Sequence, residues 1–298
     1  MSFKYSFLKS LLRVVPAKKM MAKPYDELLK MFKTEKAIPR IPDLSDKDFS
    51  FESKKCKGQP VLFINHKKSS DSVCMYLVGG GMLKYPKPSQ VKEVKSIAKA
   101  TGRNMVLPYF PLCPKYNLFD AMEMLYEVYK DLTKTYKPEN IAILGGSSGG
   151  YMALVLMSMI HEKKEDVPLP GKIYVSSPGT TMSGEERKEA ERLNATDLVM
   201  STKALDNIFL GMAGGNKLPE YMLYTQRGNY TGLKSAFLSY GGDEVFSAAA
   251  KSTAERIKSF GADVTLVVEK GMYHSYAAMP LVKEAEKGHQ KMIDYLTV

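Results

Sequence analysis

The chain has 298 residues, of which 44% are hydrophobic and 25% charged, with a formal net charge of +11. Such a length buries a large core, and such a composition excludes a disordered or fibrous chain. The positive excess comes mostly from lysines scattered between acids along helical patterns, which marks a solvated face and argues against a nucleic-acid partner.

In chain order, residues 3–15 and 25–32 carry apolar residues at helical spacing and are separated by Pro16 and Pro24. Lys9 and Arg13 interrupt the first of these, and no small-residue cleavage site follows it. It therefore reads neither as a signal peptide nor as a membrane span, although its basic, amphipathic character leaves an interfacial helix open. Residues 37–42, with two prolines, read as a linker. The β-rich runs 60–65 and 72–78 predict an antiparallel hairpin joined by the polar stretch 66–71.

From there helices and strands alternate. Helices are predicted at 89–100, 118–136 and 152–160, with strands at 104–109, 141–144 and 171–176. A mostly helical stretch, 183–227, is followed by strands at 235–240 and 264–269 and helices at 246–260 and 281–296. The alternation predicts an α/β fold with a mostly parallel sheet covered by helices on both faces. The stretch 183–227 is too long for an ordinary crossover and suits a cap over the strand ends. Residues 1–45 would complete that cap, and 46–298 would form the catalytic domain.

The run from Ile141 to Tyr151 holds Gly145-Gly146-Ser147-Ser148-Gly149 between an apolar strand and an apolar helix. A G-x-S-x-G turn in that context is a nucleophile elbow. The turn forces its central residue into a strained backbone conformation, and small neighbours let strand and helix pack closely. Ser147 is then presented at a sheet edge beside a helix N-terminus, whose dipole is positive.

A serine hydroxyl needs a general base, and the base needs a group that holds its tautomer. Of the four histidines, His274 follows a predicted strand and emerges at the same sheet edge as Ser147. His66, His161 and His289 read as surface or satisfied core positions. Asp243, first after Gly241-Gly242, is the expected orienting acid. Glu244 competes with it, but a carboxylate there also suits the start of the next helix. Gly79-Gly80-Gly81 lets backbone approach an acyl group, and the N–H of Ser148 would add an oxyanion donor.

These elements, in this order, resemble the α/β-hydrolases, and among them the hormone-sensitive-lipase-like esterases. The resemblance runs from about Pro60 to the C-terminus. It is carried by Val78-Gly79-Gly80-Gly81, Gly145 to Gly150, Gly242-Asp243-Glu244 and Gly271-Met272-Tyr273-His274. It implies an eight-stranded sheet, a helical cap, no cofactor and hydrolysis of esters with short acyl chains. By position it assigns Ser147, Asp243 and His274 as the triad, and Gly80, Gly81 and Ser148 as oxyanion donors.

Two departures stand out. Val78 replaces the family's motif histidine, a side chain expected to brace the oxyanion loop. The loop Ser176-Ser177-Pro178-Gly179-Thr180 lacks the Trp and acid often found beyond it. An amidase, formamidase or peptidase with the same triad, or a ligand-binding protein without turnover, are the alternatives.

Cys56, Cys74 and Cys113 have no C-x-x-C spacing and read as free thiols of a reducing, cytoplasmic compartment. No metal ligand set is implied. Met182, Met200, Met212 and Met222 would soften an apolar cap pocket if they face it. The expected partner is a small-molecule ester, with no stable membrane insertion, and a homodimer is left open.

Overall fold

The computed structural model describes residues 17–31, 41, 44–278 and 280–298. The predicted helix at 3–15 and nearly all of the linker at 37–42 lie outside those residues. In chain order the elements are α1 (Ala17–Met21), α2 (Tyr25–Met31), β1 (Phe49–Cys56), β2 (Gln59–His66), β3 (Val73–Leu77), α3 (Pro88–Thr101), β4 (Asn104–Pro108), α4 (Leu118–Thr133), β5 (Ile141–Gly146) and α5 (Ser148–Lys163). They continue with β6 (Lys172–Ser176), α6 (Gly184–Leu193), α7 (Thr202–Ala213), α8 (Glu220–Leu223), β7 (Ser235–Gly241), α9 (Ala250–Lys258), β8 (Asp263–Glu269) and α10 (Lys283–Leu296).

The eight strands form one sheet in the order β1-β2-β4-β3-β5-β6-β7-β8. β2 runs antiparallel to both β1 and β4, and the remaining pairs are parallel. The α/β fold expected from the alternation is therefore present, with the antiparallel edge at its start.

The predicted hairpin is corrected. Residues 60–65 fall in β2 and 72–78 mostly in β3, but β2 pairs with β1 and β4, while β3 lies between β4 and β5. The true hairpin is β1 with β2, closed at Lys57 and Gly58, whose φ values are 47° and 77°. Positive φ at both central residues matches the twist of a two-residue hairpin, and Lys is an unusual occupant of the first.

Capping sets several helix ends. Pro88 opens α3 at its first position, where a missing N–H costs nothing, and Gly102 closes it in the left-handed region. Asn117 opens α4 by accepting from the N–H groups of Phe119 and Asp120, while Asp120 accepts from the N–H of Asn117.

The core centres on β5 and α5. Residues 141–145 and every residue from Ser148 to Ile160 are buried, so this helix runs through the interior with no solvent face. Met152, Leu154, Val155, Leu156 and Met157 are fully enclosed, each contributing about 1.5–3 kcal/mol by removal from water. The elbow between β5 and α5 is thus set between two elements of the buried core.

Among the described residues no helix is long and apolar enough to cross a membrane. Cys56, Cys74 and Cys113 are free thiols.

Candidate active site

The parallel strands bring their C-terminal ends to one edge, and the segments that follow β3, β5, β7 and β8 meet there. Ser147 follows β5 with φ 52° and ψ −124°, a conformation strongly disfavoured for a residue with a side chain. Two glycines make the turn sterically feasible. A Cβ on Gly145 would stand 2.5 Å from the Gly149 carbonyl, and one on Gly149 would stand 2.0 Å from the Leu77 carbonyl oxygen.

His274 Nε2 lies 2.9 Å from Ser147 Oγ, so the expected serine and histidine are brought together. Its other ring nitrogen, Nδ1, lies 2.5 Å from Glu244 Oε2. Glu244, and not Asp243, occupies the orienting position. The turn explains this correction. Gly242 N–H donates to the Glu269 carbonyl and Asp243 N–H to the Met272 carbonyl, which pins the turn flat against the loop after β8. Asp243 is left partly exposed, with Thr196 Oγ1 donating to its backbone carbonyl. The longer side chain one residue on folds back to the imidazole, and Glu244 is 0% exposed.

A buried carboxylate must be satisfied. Glu244 Oε1 accepts from Ser177 Oγ at 2.6 Å and from Gly241 N–H at 2.8 Å. Ser177 Oγ in turn accepts from Ser275 N–H at 2.8 Å. Ser177, in the left-handed region at φ 48°, therefore ties the acid to the histidine loop. In the sequence this loop keeps Ser177-Pro178 but carries no local signal of that role.

Asp197 was also missed. It is 4% exposed, and its carboxylate accepts from the N–H groups of Val199, Met200 and Val245, so it seats the segment after α6 on the turn that carries Glu244. Its one sequence signal is an Asx-turn position after a helix.

Burial pushes the Glu244 carboxyl up, opposed by the charge and hydrogen bond of His274 and the hydrogen bond from Ser177. For His274 burial acts downward, but the Glu244 carboxylate outweighs it by charge and hydrogen bonding, with Asp197 adding to it. The imidazole ends above its ordinary value. Phe246 covers the ring at a centroid distance of 4.9 Å.

The glycine loop follows β3. Gly79 packs so closely on the elbow that a Cβ there would lie 2.9 Å from the Gly146 carbonyl oxygen. Of the three expected oxyanion donors, Gly81 is engaged differently. Its N–H donates to Ser148 Oγ at 2.9 Å. The N–H groups of Gly80 and Ser148 have no acceptor among the described residues.

Ser147, Ser148, His274 and the glycine loop line one cavity of about 500 Å³. One wall is apolar, with Met21, Met200, Leu205, Ile208, Phe209 and Met212, whereas Tyr76, Glu93 and Gln90 supply polar groups elsewhere in the lining. Of the four methionines expected to soften the pocket, Met200 and Met212 line it, and Met182 and Met222 are buried in the core.

The remaining histidines do other work. His66 Nε2 meets the Ala98 carbonyl and His289 Nδ1 the Ala277 carbonyl. His161 lies in the last turn of α5. No cluster of three or more His, Cys, Asp or Glu suited to a metal exists among the described residues.

This geometry agrees with the comparisons to known proteins. The α/β hydrolase fold family matches residues 74–278, and the chain belongs to that family. Within it the similarity is to esterases. Esterase LipU of Mycobacterium tuberculosis is 25% identical over 230 residues, covering 74% of this chain and 76% of LipU. Carboxylesterase/phospholipase LipF of the same organism is 23% identical over 232 residues, 75% of this chain and 61% of LipF.

The crystal structure of EstE5 superposes with a TM-score of 0.80 at 19% identity, covering 99% of this chain and 98% of EstE5. An esterase of the bacterial hormone-sensitive lipase family superposes at 0.77 with 21% identity over 99% and 98%. The chain is accordingly a hydrolase of the α/β hydrolase fold family, and the relatives it resembles are esterases.

Proposed function

We propose that this protein is a serine carboxylic ester hydrolase for small esters with short acyl chains, working through an acyl-enzyme. The observation that carries the reading is the continuous chain from Ser147 Oγ through His274 to Glu244, opening on a cavity with an apolar wall.

With Nδ1–H donated to Glu244, Nε2 of the neutral imidazole accepts the Ser147 proton. As that proton leaves, Oγ bonds to the ester carbonyl carbon and the carbonyl oxygen becomes an oxyanion. The N–H groups of Gly80 and Ser148 are placed to stabilise it, aided by the N-terminus of α5. Collapse of this intermediate breaks the bond to the alcohol oxygen, which takes the proton from the imidazolium. Water, deprotonated by His274, then attacks the acyl carbon, and collapse breaks the bond to Ser147 Oγ, which takes the proton back from the imidazolium as the acid leaves. Glu244 stays ionised and stabilises the imidazolium in both halves.

Residues 17–31 and 183–227 form the cap in this reading. Lys18 Nζ donates to the Asn194 and Asp197 carbonyls, and Asn207 Nδ2 to those of Ala22 and Lys23. Met21 and α7 contribute to the apolar wall. A cavity of this size suits a small acyl group in contact with that wall.

The test is hydrolysis of p-nitrophenyl acetate and butyrate. Wild type turns both over and reacts with a fluorophosphonate probe. Ser147→Ala, with an unchanged circular dichroism spectrum, does neither; undiminished turnover in that variant removes Ser147 from the mechanism.

A further inference from the structure

Gly81 is gripped at both of its backbone polar groups. Its N–H donates to Ser148 Oγ at 2.9 Å, and its carbonyl accepts from Tyr25 Oη at 3.2 Å. Gly81 (φ 63°) and Met82 (φ 59°) sit in the left-handed region and Gly80 has φ 121°, so this loop needs outside contacts to hold one conformation. Val78, at its start, is 1% exposed and apolar, and offers no polar atom as an anchor.

Tyr25 is itself fixed from the far side. A Cβ on Gly211 of α7 would fall 2.0 Å from the Tyr25 ring, which means the ring lies flush against that helix where no other residue type would admit it. The same ring thus touches α7 with its face and the glycine loop with its hydroxyl. Burial, reinforced by the Cys113 thiol beside the hydroxyl, drives the Tyr25 phenol far above its ordinary range, so it stays protonated and remains a donor wherever the enzyme works.

Resting on the esterase reading above, we infer that Tyr25 is a positioning residue for the oxyanion loop. Its hydroxyl and that of Ser148 hold the two peptide groups flanking Gly81 so that the neighbouring Gly80 N–H points at the developing oxyanion. Gly81 is then a clamped hinge and not an oxyanion donor. The cap segment that carries Tyr25 thereby acts on the chemical step besides covering the substrate, because a displaced α2 would release the Gly81 carbonyl.

Two variants test this. Tyr25→Phe keeps the ring against Gly211 and loses only the hydroxyl. It should lower kcat for p-nitrophenyl butyrate about tenfold with KM within about twofold, because the contact acts on the transition state and not on bound substrate. Affinity for a trifluoromethyl ketone, which forms a tetrahedral oxyanion adduct on serine, should fall by a similar factor. Ser148→Ala should show the same pattern. The double variant should be no worse than about the more impaired single, since both act through one residue.

Wild-type kcat and ketone affinity in Tyr25→Phe overturn the inference, as does a loss confined to KM. A rise in kcat for Ser148→Ala also overturns it, because the hydroxyl would then be competing for the Gly81 N–H. If Tyr25→Phe is silent while Ser147→Ala abolishes turnover, the brace fails and the esterase reading stands. If wild type hydrolyses no ester, that reading fails first.

Discussion

Glu244 and His274 meet at 2.5 Å inside the protein, with side-chain exposures of 0% and 6%. A carboxylate so enclosed beside an imidazole depends on complete hydrogen bonding, and removing one partner leaves the other stranded. Glu244→Gln should accordingly reduce kcat for p-nitrophenyl butyrate by about ten-thousandfold, in line with loss of the orienting acid in a serine triad. Asp243→Asn should stay within about threefold of wild type. Steady-state kinetics on the two neighbouring variants separates the assignments, and the reverse pattern would restore Asp243.

The same pair sets the pH dependence. In the proposed mechanism the imidazole must be neutral to accept the Ser147 proton, and Glu244 holds His274 above the ordinary imidazole value of about 6.5. Activity should therefore be absent at low pH and rise through an apparent pKa above that value. Removing the carboxylate charge leaves burial as the dominant influence on the ring, and burial acts downward. The residual activity of Glu244→Gln should show its rising limb at lower pH than wild type, as read from kcat/KM profiles; a limb that stays in place or moves up contradicts the electrostatic account.

Ser177 should matter although it touches no substrate. Ser177→Ala removes a donor from Glu244 and an acceptor from Ser275 N–H. A lost hydrogen bond to a buried charge is worth about 1.5–3 kcal/mol. Thermal denaturation should show that destabilisation, and kcat should fall about tenfold as the acid and imidazole lose register.

Two glycine substitutions distinguish crowding from backbone conformation. Gly149→Ala drives a methyl to within 2.0 Å of the Leu77 carbonyl oxygen. It should cost at least about 3 kcal/mol or abolish soluble expression. Gly232 has φ 90° with nothing near its absent Cβ. Gly232→Ala should cost only about 1 kcal/mol and leave turnover intact, which denaturant unfolding and a turnover assay would check.

Much of this site was legible in the sequence because tight backbone geometry allows few residue types. The Ser147 elbow demands glycines on both sides, and His274 follows a β-rich run that ends at a Gly. The acid was less accessible. Two adjacent carboxylates occupy one turn, and the choice between them depends on which backbone N–H groups bond to the loop after β8, a tertiary fact with no local signature. β1 went unseen for another reason: its burial falls away after Phe51, and its turn uses Lys57 where Asn or Asp is usual. The misassigned hairpin followed directly, since β2 was paired with the next strand in sequence once its real partner was overlooked. Ser177 acts only through residues far along the chain, and Asp197 reaches the Glu244 turn only through the distant Val245 N–H.

That overlooked strand has a role of its own. β1 ends the sheet, and Glu52, Ser53, Lys54 and Lys55 along it are exposed. Lysines on a terminal strand deter another molecule from extending the ladder, because each would lose hydration as a foreign backbone closed over it. The polar pattern that hid β1 among loop-like residues thus protects a sheet whose interior strands are apolar enough to aggregate if an open margin invited them.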